Sequence, residues 1–220
     1  MRKILRKLGQ HHQGFWTREN FRSFYGGLGF FAVALIVQRF ADNYVNKLPG
    51  TPVDDLFLSH LPPMDIDGSI IFGSLLITFL GIYLFATKPK YLSFGVKSLA
   101  IFIITRSFLI SLTHLGPNPH QLVFDSNSIG FSLYNVLYNT SNDFFFSGHT
   151  GIPFLLGLIF WPEKPWRYFF MTASAIFGVG VLVAHIHYSI DVFAAPFITY
   201  SIFAITRHFF PRDYEVRTST

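Results

Sequence analysis

The 220-residue chain contains no cysteine, which removes disulfides and thiolate chemistry from consideration. It is also short of charge. Only 13% of its residues are charged while 50% are hydrophobic, a balance that excludes an ordinary water-soluble domain of this size. No polar stretch is long enough to fold as a second domain, and no internal repeat argues for a transporter-type duplication. The N-terminus lacks a signal-peptide pattern: the first apolar stretch begins after residue 23 without a small-residue cleavage site, so it is expected to be retained as a first span.

What is present is arranged in apolar blocks. Runs such as Gly68 to Thr87 and Leu92 to Thr105 carry one charge at most, and about 20 apolar residues match the ~30 Å hydrocarbon core of a bilayer. Six spans are expected, at 24–41, 68–87, 92–114, 148–161, 168–187 and 190–207. The fourth is short, with Gly151, Pro153 and Pro162 near its ends, as a bundle tolerates where neighbours re-satisfy the backbone. The expected architecture is an all-α, six-helix transmembrane bundle at 24–207. A basic cytoplasmic segment at 1–23 precedes it and a cytoplasmic tail at 208–220 comes after it. The 28 phenylalanines read as lipid-facing and packing residues.

The net charge of +5 would fit nucleic acid or anionic lipid, so its placement decides. All of the 17 basic residues except Arg39, Lys47 and Arg106 fall on alternate, same-side segments, whereas Asp42, Asp54, Asp55, Asp65, Asp67, Asp125 and Asp143 occupy the opposite connections. By the positive-inside bias both termini are cytoplasmic, and no nucleic-acid partner is expected. The opening MRKILRKLGQHHQ is loosely amphipathic and can lie on anionic lipid.

Ionisable groups at membrane depth are functional candidates by default, and four stand out: Arg106, His149, His187 and Asp191. In the segment from Asn142 to Thr150, Ser147 and Gly148 precede His149 at an expected helix start, where free backbone N–H groups and the positive dipole end attract phosphate. A structural reading is equally available, with Ser147 as an N-cap and His149 as an interfacial histidine. Farther on, His187 and Asp191 are four residues apart, so in a helix they share a face. The carboxylate can then hold one imidazole nitrogen and leave the other as a nucleophile, or the pair can be a buried hydrogen bond without chemistry. The expected topology puts both segments at one membrane surface, the non-cytoplasmic one. His185 and His187 lie roughly 200° apart on a helix, and no acidic cluster joins them, so neither metal nor cofactor is expected. His185 is taken as a supporting residue.

At these residues the chain resembles the type 2 phosphatidic acid phosphatase superfamily, with Ser-Gly-His at one helix start and His-x-x-x-Asp at a later one. Within it, the chain is most similar to the sphingomyelin synthase family. The likeness is carried by Asp143-x-x-x-Ser147-Gly148-His149-Thr150, by the stretch from Ala184 to Val192, by Arg106 with Leu115-Gly116-Pro117 after it, and faintly by the stretch from Pro52 to Phe57. Two phosphatase features are missing: the Arg six residues before the nucleophilic histidine is Val181 here, and the Lys, six residues, Arg-Pro motif is represented only by Lys97 and Arg106. The synthases' Cys-Gly-Asp is Ser141-Asn142-Asp143.

The resemblance implies a phosphotransferase that moves phosphocholine or phosphoethanolamine from a glycerophospholipid donor to a lipid alcohol acceptor such as ceramide. His187, oriented by Asp191, would be the nucleophile and His149 the acid and base. Ser147, Gly148 and Arg106 would bind phosphate, and Asp143, Phe144, Phe145 and Tyr188 would wall the headgroup. Alternatives are a phosphatase or phospholipase C-like hydrolase using the same residues, a transporter with a His/Asp proton relay, or an intramembrane serine protease. The last is disfavoured because Ser147 lacks the Gly-x-Ser context.

Overall fold

The computed structural model describes residues 14–48, 50–138 and 145–218, and among these residues the regular elements are helical. Eight α-helices occur in order: α1 (Arg18–Lys47), α2 (Asp67–Thr87), α3 (Leu92–Thr113), α4 (Phe131–Tyr138), α5 (Gly148–Ile159), α6 (Lys164–Val183), α7 (Ser189–Phe209) and α8 (Pro211–Thr218). Five of them, α1, α2, α3, α6 and α7, are long and apolar enough to cross a membrane. The chain is a multi-pass membrane protein.

The expected fourth segment is a short helix, as its sequence indicated. Helix α5 has 12 residues, which at 1.5 Å per residue reach about 18 Å, well short of a bilayer core. Its length fits its position: nine of those residues are buried, on all sides of the helix, so α5 is packed among the others instead of facing lipid. Its C-terminal carbonyls therefore end inside protein and need partners. Arg217 of α8 supplies them, donating from Nη1 to Leu158 O at 2.7 Å and to Ile159 O at 2.8 Å. The Arg217 guanidinium also lies over the rings of Tyr214, Phe203 and Phe94. The expected cytoplasmic tail thus includes a docked helix. Asp213, one turn earlier, accepts from the buried Lys97 ammonium of α3 at 2.5 Å and from Ser23 Oγ of α1 at 2.6 Å.

At this same end of the bundle, α1 begins at Arg18, where Thr17 caps it by accepting the Asn20 N–H, six residues before the expected span. Most of α1 remains exposed, with Phe40 at 72%, as expected of a helix that packs against α3 and otherwise faces lipid. Its far end leads into a loop that touches the exit of α3, where Gly116 N–H donates to Thr51 O at 3.0 Å. Only glycines fit this approach. A Cβ on Gly50 would lie 1.7 Å from His114 O, and one on Gly116 would lie 2.3 Å from Gly50 O.

The fifth span was expected to run to residue 187, but α6 stops at Val183. The stop is a Schellman turn: Ile186 N–H reaches Val181 O and His185 N–H reaches Leu182 O, both at 2.9 Å, with His185 in the left-handed region at φ 53°. That position usually takes glycine. Here the imidazole compensates through a 2.8 Å hydrogen bond between Nε2 and Leu61 O. His187 consequently sits in the turn between α6 and α7 rather than on a helix face.

Candidate active site

Asp191 has two tasks. As the third residue of α7 it accepts the Tyr188 N–H on Oδ2 at 3.0 Å, closing the first turn as a capping carboxylate does. The same oxygen lies 3.4 Å from His187 Nδ1. The expected pairing is thus present, although it is produced by the turn and the cap instead of by a shared helical face. Asp191 is fully buried at 0% exposure, and its Oδ1 has no hydrogen-bond partner among the described residues.

Helix α5 presents the other segment. Ser147 caps it, its hydroxyl oxygen accepting the Thr150 N–H and the Thr150 hydroxyl, each at 3.3 Å. This matches the structural reading of Ser147 and at the same time leaves the first-turn amides at the head of the helix. The two segments are tied directly, because Ser147 N–H donates to Asp191 O at 3.1 Å. That bond brings the imidazoles together: the His149 and His187 ring centroids are 5.9 Å apart in an edge-on arrangement. Both rings are buried, at 5% and 3% exposure.

Arg106 enters from α3. Its Nε donates to Phe146 O at 2.9 Å, and a Cβ placed on Gly148 would lie 3.5 Å from that Nε and 3.6 Å from Cζ. The glycine therefore lets the guanidinium lie close against the first turn of α5. Guanidinium, helix N-terminus and serine hydroxyl converge as an anion would require. A narrow cleft lies beside the site, lined among others by Tyr138, His149, Ile152 and Phe177.

Of the residues expected near a headgroup, Phe145 packs edge to face on Phe146. Asp143 and Phe144 lie outside the described residues, as does the basic start at 1–13. Tyr188 is buried, its hydroxyl donating to Gly116 O at 2.9 Å and accepting from Val53 N–H at 3.3 Å. It ties the loop after α1 and the exit of α3 to the head of α7. Among the described residues no three His, Asp or Glu side chains converge as a metal would need.

Two contributors were given no site role by the sequence reading. Asp55, in the loop between α1 and α2, accepts the Ser189 N–H at 2.6 Å and the Ser189 hydroxyl at 2.7 Å, so it caps α7 from a separate segment. Burial raises its carboxyl pKa, but the N–H groups of Leu58, Ser189 and Phe57 and the Ser189 hydroxyl outweigh that and hold it below the ordinary value. The second is Tyr134 of α4, whose hydroxyl is 2.9 Å from His149 Nε2. Its signal was the Tyr134/Tyr138 pair, one helical turn apart on a short amphipathic segment.

Fold and site together define a multi-pass membrane protein with a buried two-histidine, one-aspartate centre at one end of its bundle. Residues 140–209, less than half of the chain, match the family model described as PAP2 superfamily C-terminal. The matched segment contains His149, His187 and Asp191. No curated protein matches the chain.

Proposed function

We propose that this protein is a membrane phosphotransferase of the sphingomyelin synthase type. It moves phosphocholine or phosphoethanolamine from a glycerophospholipid to a lipid alcohol such as ceramide. The observation that carries the reading is the meeting of two histidines beside an anion-attracting helix head, with one histidine facing a buried carboxylate. In this proposal α5 is a sixth, short membrane segment, both termini are cytoplasmic and the site opens to the non-cytoplasmic face. The basic residues on alternate segments support that orientation.

His187, with Nδ1 held by Asp191, attacks phosphorus through Nε2. A P–N bond forms, the bond from phosphorus to the diacylglycerol oxygen breaks, and His149 supplies the proton that the departing oxygen takes. The acceptor hydroxyl then attacks the phosphohistidine, gives its proton back to His149, and releases His187 as the P–N bond breaks. Arg106, the first-turn amide of Gly148 and the Ser147 hydroxyl stabilise the charge that develops on the phosphoryl oxygens. Asp143, Phe144, Phe145 and Tyr188 remain the proposed headgroup wall, with the ring of Tyr188 as its contribution.

Val181 supports a phosphodiester over a phosphomonoester. Phosphatases of the superfamily have a clamping arginine at this position, but Val181 is fully buried and its carbonyl receives the Ile186 N–H. A singly charged diester needs less compensation than a dianionic monoester. The test is headgroup fate in purified protein given labelled phosphatidylcholine or phosphatidylethanolamine with ceramide. A labelled phosphosphingolipid is the expected product. Free phosphoheadgroup or phosphate alone would establish a hydrolase, and lipid turnover surviving His187→Ala would remove the phosphohistidine.

A further inference from the structure

The two imidazoles are held in the same way by different partners. His187 has Nδ1 facing Asp191 Oδ2 at 3.4 Å, and in the transferase reading Nε2 is the nitrogen that attacks phosphorus. His149 has Nε2 against the Tyr134 hydroxyl at 2.9 Å. We propose that Tyr134 is the positioning residue of His149, fixing Nε2 and thereby assigning Nδ1 as the nitrogen that gives and takes the substrate proton. The inference rests on the transferase reading above and deepens it.

Tyr134 is only 2% exposed and is fixed by the small helix that carries it. That helix is anchored to α2 at both ends. Near its start, Gly130, in the left-handed region at φ 86°, accepts the Tyr134 N–H, and Ser128 Oγ donates to Asp67 Oδ2 at 3.0 Å. At its end, the Tyr138 hydroxyl donates to Ser74 O at 3.0 Å and lies 2.6 Å from Thr78 Oγ1. Tyr138 also stacks on the His149 ring, with centroids 5.6 Å apart and planes 16° from parallel. Phe177 packs on the same imidazole at 6.2 Å. The ring is thus held by stacking, and the tyrosine hydroxyl sets which nitrogen is engaged.

The chemistry assigns each partner a separate task. An Asp191 carboxylate supports positive charge on His187 as its other nitrogen attacks phosphorus. A neutral phenol accepts the His149 Nε2–H without holding the ring in its charged form, which suits a group that must release a proton in one half-reaction and recover it in the next. Throughout the cycle Nε2–H stays bonded to Tyr134 Oη. Nδ1 passes its proton to the diacylglycerol oxygen as the P–O bond breaks, then takes one from the acceptor hydroxyl as the new P–O bond forms.

The test compares Tyr134→Phe with the unaltered full chain on two donors sharing one headgroup: the diacyl phospholipid and the 4-nitrophenyl ester of the same phosphoheadgroup. Nitrophenolate leaves without a proton; a lipid alkoxide does not. The expected result is a fall in kcat of about 10²-fold on the lipid, with KM unchanged and the nitrophenolate burst preserved. Equal losses on both donors, or no loss on either, would overturn the proposal, because a merely structural tyrosine treats the donors alike. A second measurement does not require turnover. In ¹⁵N-histidine spectra of the same proteins, with His149 assigned through His149→Gln, the Nε2 resonance is expected to move on Tyr134→Phe; an unmoved resonance refutes the pairing. If the unaltered chain turns over neither donor, the transferase reading fails while the spectra still decide the role of Tyr134.

Discussion

Helix α3 carries one cation toward each end of the bundle, and the two sit among different elements. Lys97 is buried against a carboxylate and a hydroxyl, with its ammonium 2.5 Å from Asp213, 2.7 Å from Ser23 Oγ and over the Phe210 ring. Arg106, among its contacts, donates to the Phe146 carbonyl and lies along the glycine at the head of α5. Around Lys97, the carboxylate of Asp213 has both oxygens engaged. Around Arg106, the nearby site contains a buried aspartate oxygen with no partner among the described residues. A buried charge with its partners in place holds elements together. A buried polar group kept unmatched beside a helix head is a cost that chemistry explains.

Breaking the Lys97 pair should produce the largest effect of the two cations, and it should fall on stability. Lys97→Met strands Asp213 in an apolar setting, which is expected to cost about 3–5 kcal/mol, read as a lowered unfolding midpoint in detergent. Combining it with Asp213→Leu should restore most of the loss, because removing both charges leaves nothing to desolvate. Turnover per folded molecule should persist. Arg106→Met should invert this pattern, with headgroup transfer reduced about 10²–10³-fold and the unfolding midpoint little changed. If each variant instead behaved like the other, the comparison between the two ends would fail.

A smaller effect is expected at the end of α5. Arg217→Ala leaves the Leu158 and Ile159 carbonyls without their donor inside the bundle, a loss of about 1–3 kcal/mol. Protease sensitivity of the C-terminal helix provides an independent reading. Smallest is Asp55→Ala, which removes an external cap from α7 at about 1 kcal/mol. Its pH dependence has a definite sign. Because hydrogen bonds from Leu58, Ser189 and Phe57 overcome burial and depress the Asp55 pKa, its contribution is present above the ordinary carboxylate range and is lost as pH falls through the folded value. The gap in unfolding midpoint between the unaltered chain and Asp55→Ala should therefore narrow on acidification from neutral pH toward pH ~3.

The membrane helices were legible because apolar blocks of bilayer length are a coarse signal that survives errors of several residues. The two histidine segments were legible because their chemistry is local: Ser147 caps the helix that begins at Gly148, and Asp191 reaches back to Tyr188 and His187. The end of α6 was not, since the left-handed residue of its closing turn is His185 and the usual glycine signal is missing. The shortness of α5 was legible from its sequence, whereas the group that receives its end was not. Its end inside the bundle is satisfied by Arg217, 58 residues downstream of Ile159. The role of α4 depends on contacts from Tyr134 and Tyr138 to α2 and α5: their one-turn spacing marks a shared face but does not name the partners. The sequence thus records groups that act on their neighbours and hides groups that act at a distance.

The proposed chemistry depends most on His187 as a nucleophile, and a covalent adduct tests it directly. Purified protein should be incubated with donor phospholipid in the absence of a lipid acceptor, quenched under alkaline conditions that preserve phosphohistidine, and measured by intact mass and peptide mapping. The expected result is an added phosphoheadgroup on His187 that is chased into product by ceramide and missing from His187→Ala. Product formation with no adduct at any time, or with a full adduct signal in His187→Ala, would contradict His187 as the nucleophile.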